Sequence, residues 1–209
     1  MTRSIDHAEA PSEPVTTADN PAAWALTLIQ TRQTVLPKRL VSPGPDAAQL
    51  QTLLEAAAAA PDHEQRLPWR FIGVAVDKRE ALAEVFVQSL IDRDPAALPS
   101  QVAAAHDKAH RAPLLLLAVA RLDDTDTEVP PVERWISLGC AIQNLLLTAH
   151  AMGFGSALTS GQALGSPRLR ALFALAPGEV PACFVNVGTV SARKPMKERP
   201  DTARFFNWL

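Results

Sequence analysis

An α+β fold built on one central sheet is what this sequence predicts, on three observations. Helical segments outnumber strand-like runs, the strand-like runs are separated from one another by helices, and no repeat or compositional shift marks a second domain. At 209 residues the chain suits one domain with a substantial core. The expected organisation is a flexible, polar tail over residues 1–20 and a single domain over residues 21–209.

The first element begins at Asn20-Pro21, where Asn is a favoured N-cap and Pro is tolerated at the first helical position. A helix over Ala22 to Gln30 follows, with Trp24, Leu28 and Ile29 roughly on one face. VSPGPD is a turn, and its Asp46 caps a second helix to Ala60, whose five alanines, Ala56 to Ala60, permit close approach of another backbone. Pro61 ends it. PDHEQRLPW is a loop bounded by prolines, and Phe71 to Val76 is a strand. Lys78 to Arg93 is an amphipathic helix offering Leu82, Val85, Phe86 and Ile91 for burial, and Ser100 to His110 is a further helix. LLLLAVARL after Pro113 is apolar on both faces, as a central strand is. The acidic DDTDTEVP is an exposed loop. Ser166-Pro167 starts another capped helix, and Ala182 to Val190 is a third strand.

Between the last two strands lies the stretch around which the chain is organised. Trp135 to Gly161 contains no Asp, Glu, Lys or Arg, although charged residues make up 20% of the sequence. From Ile136 to Met152 its apolar residues fall on every face of a helical wheel, which predicts a helix buried all round. Ser137, Gln143, Asn144, Thr148 and His150 interrupt the run, so it is a core helix and not a membrane span. Gly153 and Gly155 end it, and Ser156 to Gly161 is a small, polar turn suited to presenting backbone N–H groups to a flat ligand.

Net charge of −2 and a pI near 6.2 argue against general nucleic-acid binding. The N-terminus lacks the basic start and apolar core of a signal peptide. Cys140 and Cys183 read as buried thiols rather than a bridge, in keeping with a cytoplasmic setting.

Four separate stretches make chemical sense around one ligand. Arg32, Gln33 and Thr34 offer a cation, an amide and a hydroxyl at a helix end. Lys197 and Arg199 put two more cations at alternating positions of an extended tail. Together these suit a phosphate dianion, which Arg binds bidentately and Lys as a point charge. The proline-bounded loop supplies His63 and Gln65, and ALTSG supplies backbone donors. Each has a plainer reading beside it: Arg32 complementing the helix dipole, Lys197 and Arg199 as a solvated tail, and His63 as a surface residue. GFGSAL lacks the third glycine of a dinucleotide-binding turn. HDKAH (His106 to His110) has the four-residue histidine spacing of a zinc helix but no evident third ligand, so no metal is expected. Cys140 sits in an apolar helix, a setting that disfavours a nucleophile.

APDHEQRLPWRF (Ala60 to Phe71), SLGCAIQNLLLTAHAMGFGS (Ser137 to Ser156), EVPACFVNVGT (Glu179 to Thr189) and the tail KER (Lys197 to Arg199) together resemble the flavin-dependent nitroreductase family, in its small, YdjA-like branch. The resemblance runs from Trp24 to the C-terminus. It implies a nitroreductase-like α+β fold, a central mixed or antiparallel sheet flanked by helices, and a homodimer with FMN at the interface. It implies NAD(P)H as reductant and nitroaromatics, quinones or similar electrophiles as acceptors, in a ping-pong cycle. Arg32, Lys197 and Arg199 would hold the FMN phosphate, with Gln33 and Thr34 continuing that contact. His63 and Gln65 would reach the partner's flavin. Leu158, Thr159, Ser160 and Gly161 would lie against the isoalloxazine, where backbone donors stabilise charge growing on the pyrimidine edge. The cofactor would carry the hard chemistry, so no catalytic residue is named. The sequence departs from the family pattern at Gln33, in place of a second basic residue, and at Leu67 and Thr159 on the substrate side. The departures at Gln33 and Thr159 leave open a flavin-binding module without turnover, a redox sensor or FMN carrier.

Overall fold

The computed structural model describes residues 20–122, 128–196 and 198–209. Residues 1–19 of the expected tail, part of the acidic loop and Lys197 lie outside them. The described residues fall into two units, one ending at Thr31 and the other spanning Arg32–Leu209. In the first, helix α1 (Pro21–Thr31) starts as its sequence predicts, with the Asn20 side-chain oxygen accepting from the amides of Ala22 and Ala23, each at 3.1 Å. Trp24, Leu26 and Ile29 stand exposed on it.

The second unit runs β1 (Leu40–Val41), α2 (Ala47–Ala58), β2 (Trp69–Gly73), α3 (Arg79–Arg93), α4 (Pro99–Asp107), β3 (Leu114–Arg121), α5 (Pro131–Ala151), β4 (Gly155–Thr159), α6 (Pro167–Leu172) and β5 (Glu179–Val190). The sheet is antiparallel and centres on β5. One edge of β5 pairs with β3, which pairs in turn with β2. The other edge is shared, Phe184 to Gly188 pairing with β4 and Thr189 to Val190 with β1. The β3–β5 register shifts between Ala118 and Val119, opposite Cys183 and Pro181, so Ala182 is the extra residue. Proline has no N–H to give the ladder, and a bulge accommodates it.

Helices cover both faces, which is why β3 is apolar on both. Leu116, Ala118 and Ala120 join Leu53, Leu138, Leu145 and Val185 on the face carrying α2 and α5. Leu115, Leu117 and Val119 join Leu82, Leu169 and Phe184 on the face carrying α3 and α6. Asp46 caps α2 through a reciprocal pair: its carboxylate accepts from the Gln49 backbone amide at 2.8 Å, and the Gln49 side-chain oxygen accepts from the Asp46 backbone amide at 2.9 Å. Asn144 on α5 donates to the Ala56 carbonyl at 3.1 Å, an approach that the alanine run of α2 makes possible.

Four expectations need correcting. The organising helix is not buried all round: Leu138, Ala141, Ile142, Leu145, Leu146 and Ala149 form its buried stripe, while Val132 and Ile136 are more than 60% exposed and Trp135 is exposed too. A single chain has only α2 and the sheet with which to cover it. The expected turn from Ser156 is strand β4 up to Thr159, because β5 offers it a free edge. Gly153 does end the helix, at φ +86°, but Gly155 serves close approach: a Cβ there would lie 2.6 Å from Val190 Cγ2 and 2.9 Å from Leu40 Cδ2. Ile91, offered for burial, is exposed.

Two charged groups are built into the structure. Arg79, 5% exposed, donates to four carbonyls: Val74 (3.0 Å), Ala109 (2.7 Å), Ala112 (3.2 Å) and Pro113 (3.1 Å). It ties the start of α3 to the turn after α4 and the entry to β3, and burial lowers its pKa. Glu179 opens β5 with Arg70 at 2.6 Å and Arg121 at 3.7 Å, and accepts from the Ala176 amide at 3.0 Å. Burial pushes its carboxyl up, but the Arg70 hydrogen bond, that amide and the two guanidinium charges outweigh it, so the net shift is down.

Arg79→Met is expected to lower unfolding free energy in urea by about 3 kcal/mol, since it strands buried carbonyls, and Arg79→Lys should rescue little of it because an ammonium cannot span the fork. A loss within experimental error would remove the clamp from this account. Glu179, its folded pKa depressed, contributes stability above the ordinary glutamate value of 4.5 that is lost as pH falls through its lowered value. Glu179→Gln should therefore flatten the acid limb of a stability–pH curve; an unchanged limb would contradict the assignment.

Candidate functional site

The site is assembled along β4. One edge of that strand is taken by β5, and the chain entering the second unit is laid along the other. Thr34 bridges Ser156 in parallel, and the Val35 amide donates to the Ser156 carbonyl at 2.9 Å. Gly155 makes this possible, since a side chain there would also strike Val35 at 3.0 Å. Arg32 and Gln33 are thereby held half-buried, and Thr34 is exposed.

The C-terminal segment returns to this edge. Arg199 Nη2 donates to the Arg32 carbonyl at 2.7 Å. Burial lowers the pKa of the Arg32 guanidinium, and the Arg199 charge lowers it further. His150, at the end of α5, is lowered by burial and then by the charges of Arg193 and Arg32. Arg32, Arg199 and Arg193 thus share one electrostatic neighbourhood with His150, whose lowered pKa favours its neutral form, and crowded guanidinium charges are what a bound anion relieves. Two of the three expected phosphate cations meet here; Lys197 lies outside the described residues. Arg193 and His150 were not singled out from sequence. The only signals for them were the basic run SARK and a histidine in the last turn of a helix uncharged from Trp135 onward.

The far end of β4 opens on a cavity of about 480 Å³. Thr159, Ser160 and Gly161 line it, with Pro37, Phe86, Leu115, Leu164 and Phe184 as apolar wall and Arg93, Lys108 and Arg111 as cations. Asn186, 2% exposed in the middle of β5, donates to Thr159 Oγ1 at 3.0 Å and to the Ala157 carbonyl at 3.3 Å, fixing the strand end. A polar residue inside the apolar run ACFVNVGTV was the available signal for it. Ser160 and Gly161 lie past the last paired residue of β4, and a Cβ on Gly161 would meet nothing within 4 Å, so bare backbone faces open space. Leu158 departs from the expected grouping. Alternation along a strand turns it to the opposite face from Thr159, where it is exposed and does not line the cavity. The basic cluster and the cavity are separate features, about 10 Å apart along the strand from Ser156 to Thr159.

His63 and Gln65 are exposed in a 3₁₀ turn and line no part of that cavity. Their loop has three non-glycine residues at positive φ, Glu64 (51°), Gln65 (55°) and Leu67 (51°), and the Asp62 carboxylate accepts from the Leu67 amide at 2.7 Å. Such a conformation costs roughly 1–3 kcal/mol per residue and is characteristic of functional loops. His63 borders a hollow of about 60 Å³ with Arg66, Arg121, Arg134 and Ser137. Within one chain, then, the expected residues fall into three groups: basic cluster, β4 end and exposed loop.

Residues 29–189 match the Nitroreductase family. The chain is 33% identical over 186 residues to a provisionally named NAD(P)H nitroreductase of Haemophilus influenzae, covering 88% of this chain and 99% of the relative. It is 33% identical over 167 residues to YdjA of Escherichia coli K12, likewise provisionally named an NAD(P)H nitroreductase, covering 79% and 87%. Among solved structures, a nitroreductase-like family protein from Bacillus cereus superposes with a TM-score of 0.76 at 18% identity, covering 96% of this chain and 99% of that one. Iodotyrosine deiodinase bound to FMN and 3-iodo-L-tyrosine superposes at 0.63 with 22% identity, covering 84% and 94%. By family match, curated relatives and fold, this chain belongs to the nitroreductase family and is an oxidoreductase.

Proposed function

We propose that the chain is a homodimeric, cytoplasmic FMN enzyme that takes hydride from NAD(P)H and reduces nitroaromatics, quinones or similar electrophiles. The observation that carries the proposal is the meeting of Arg32 and Arg199, 167 positions apart in sequence, beside Arg193 and His150. The donor set suits the cofactor. A phosphate dianion relieves repulsion among those groups, with Lys197, Gln33 and Thr34 as further contacts. When bound, FMN supplies a ring that accepts and returns a hydride. The chain's own task is to seat that ring at the β4 end, where the free amides of Ser160 and Gly161 favour negative charge on its edge. Thr159, held by Asn186, is a fixed wall there and not a titrating group. One apolar, cation-bordered cavity serves reductant and acceptor in turn, which fits a broad acceptor range.

The homodimer is supported by the apolar surface that a single chain leaves open. Val132, Trp135 and Ile136 on α5, with Phe205, Phe206 and Trp208 of the C-terminal segment, are all exposed. A second copy packed on α5 would cover the helix face that the sequence had marked for burial. It would also let each strained loop, with His63 and Gln65, reach the other chain's flavin. Both thiols stand free, the form a reducing compartment maintains, and no helix of the described residues is long and apolar enough to cross a membrane.

Reconstitution should give one FMN per chain, with NADPH bleaching the bound flavin within seconds. Arg32→Ala and Arg199→Ala should each weaken FMN binding roughly 10- to 100-fold, as loss of a charged hydrogen bond does. Protein that takes up no flavin sinks the proposal. Sedimentation of the wild type should show a dimer, and Val132→Glu with Ile136→Glu should give a folded monomer with weakened FMN affinity. A wild type that sediments as a monomer would remove the shared site.

A further inference from the structure

The HDKAH segment lacked a third ligand in sequence, and the fold supplies one from another helix. Glu80, at the start of α3, reaches both histidines: its Oε1 lies 2.9 Å from His106 Nε2 and its Oε2 lies 3.5 Å from His110 Nε2. The two imidazoles are stacked, ring centres 5.4 Å apart and planes 26° apart, so both Nε2 atoms present to the same carboxylate. One ligand atom from each of the three residues falls within 4.8 Å of the others.

From these positions we propose that Glu80, His106 and His110 bind a divalent first-row transition ion of the zinc class, with its remaining coordination position open to water. The distances fit. Zinc bonds of about 2.0–2.2 Å at tetrahedral angles place neighbouring ligand atoms about 3.4 Å apart; the 3.5 Å separation at His110 matches this, while the 2.9 Å contact at His106 is a hydrogen bond that the ion would replace, opening it slightly. The donor set fits as well, since two imidazoles and one carboxylate suit zinc, cobalt, nickel or copper and are poor partners for magnesium or calcium. The side chains are between 36% and 66% exposed, which leaves an ion a path in.

A second observation separates this triad from a chance surface cluster. Arg79, the neighbour of Glu80, donates from burial to the carbonyl of Ala109, the neighbour of His110, at 2.7 Å. The same guanidinium holds Ala112 and Pro113. The backbones that carry Glu80 and His110 are thus locked together beneath the site, so its geometry exists before any ion arrives. The site is also tied to the cavity. Phe86 and Leu90 of α3 and Gln101 and Ala104 of α4 line the 480 Å³ space, and an ion joining Glu80 to the histidines pins those two helices together at one end.

Zinc titrated calorimetrically into full-length, chelator-stripped protein without a histidine tag tests this. The wild type should bind one ion per chain more than His106→Ala/His110→Ala, whose residual uptake reports sites at the thiols or other histidines. Glu80→Gln, which keeps the packing, should weaken the ion roughly tenfold or more. Zinc should raise the melting temperature of the wild type and leave that of the double variant unchanged. Equal stoichiometry and affinity in wild type and double variant would overturn the proposal, as would absence of zinc binding in the wild type. Neither readout depends on flavin, so this result and that of the FMN reconstitution fail or succeed separately.

Discussion

The double pairing of β5 is the constraint from which the rest of the structure follows. With β3 along one edge and β4 followed by β1 along the other, twelve residues fix the position of every layer. The strand is buried on both faces, so its register cannot slip by one residue without turning Val185 and Val187 out of one core and Phe184 out of the other. Its anchors are polar: Glu179 fastens the first residue to Arg70 and Arg121, and Asn186 fastens the middle to β4. Because β4 is located by β5, and the Arg32–Val35 segment by β4, the basic cluster inherits its place from the same strand.

That inheritance explains how residues remote in sequence share a site. Arg32 enters from one end of the chain and Arg199 from the other, and both stop at the outer edge of β4, where no further strand competes for room. The glycine at 155 is the local condition for this, since three aliphatic side chains crowd the point where a Cβ would stand. The cavity, by contrast, depends on the opposite layer. It lies between α3, α4 and the end of β4, on the layer where Arg79 ties the start of α3 to the turn after α4 and the entry to β3.

The exposed stripe on α5 and the strained loop at residues 63–67 have one physical theme. Each is expensive for an isolated chain, the first in apolar surface left in water and the second in backbone conformation. Under the proposed homodimer, a second copy across α5 would cover the first and receive the second.

The sequence by itself determined the elements whose signals are local. The Asn20 and Asp46 caps, the two-faced strand after Pro113, the uncharged helix and the helix-ending Gly153 all follow from spacing and side-chain chemistry over a few residues. The cations at Arg32 and Arg199 were legible as candidates because their charge has no use in a core. Only tertiary structure decided what depends on edges and faces. Gly155 to Thr159 is a strand because β5 has an open edge there, and that pairing turns Leu158 and Thr159 to opposite sides. Glu80 meets two histidines 26 and 30 residues away because α3 packs against α4 and the turn after it, where Arg79 holds the Ala109 carbonyl beside His110. Periodicity reports what a segment can bury; which neighbour buries it, and which edge is left to bind, is settled by the order in which strands and helices pack.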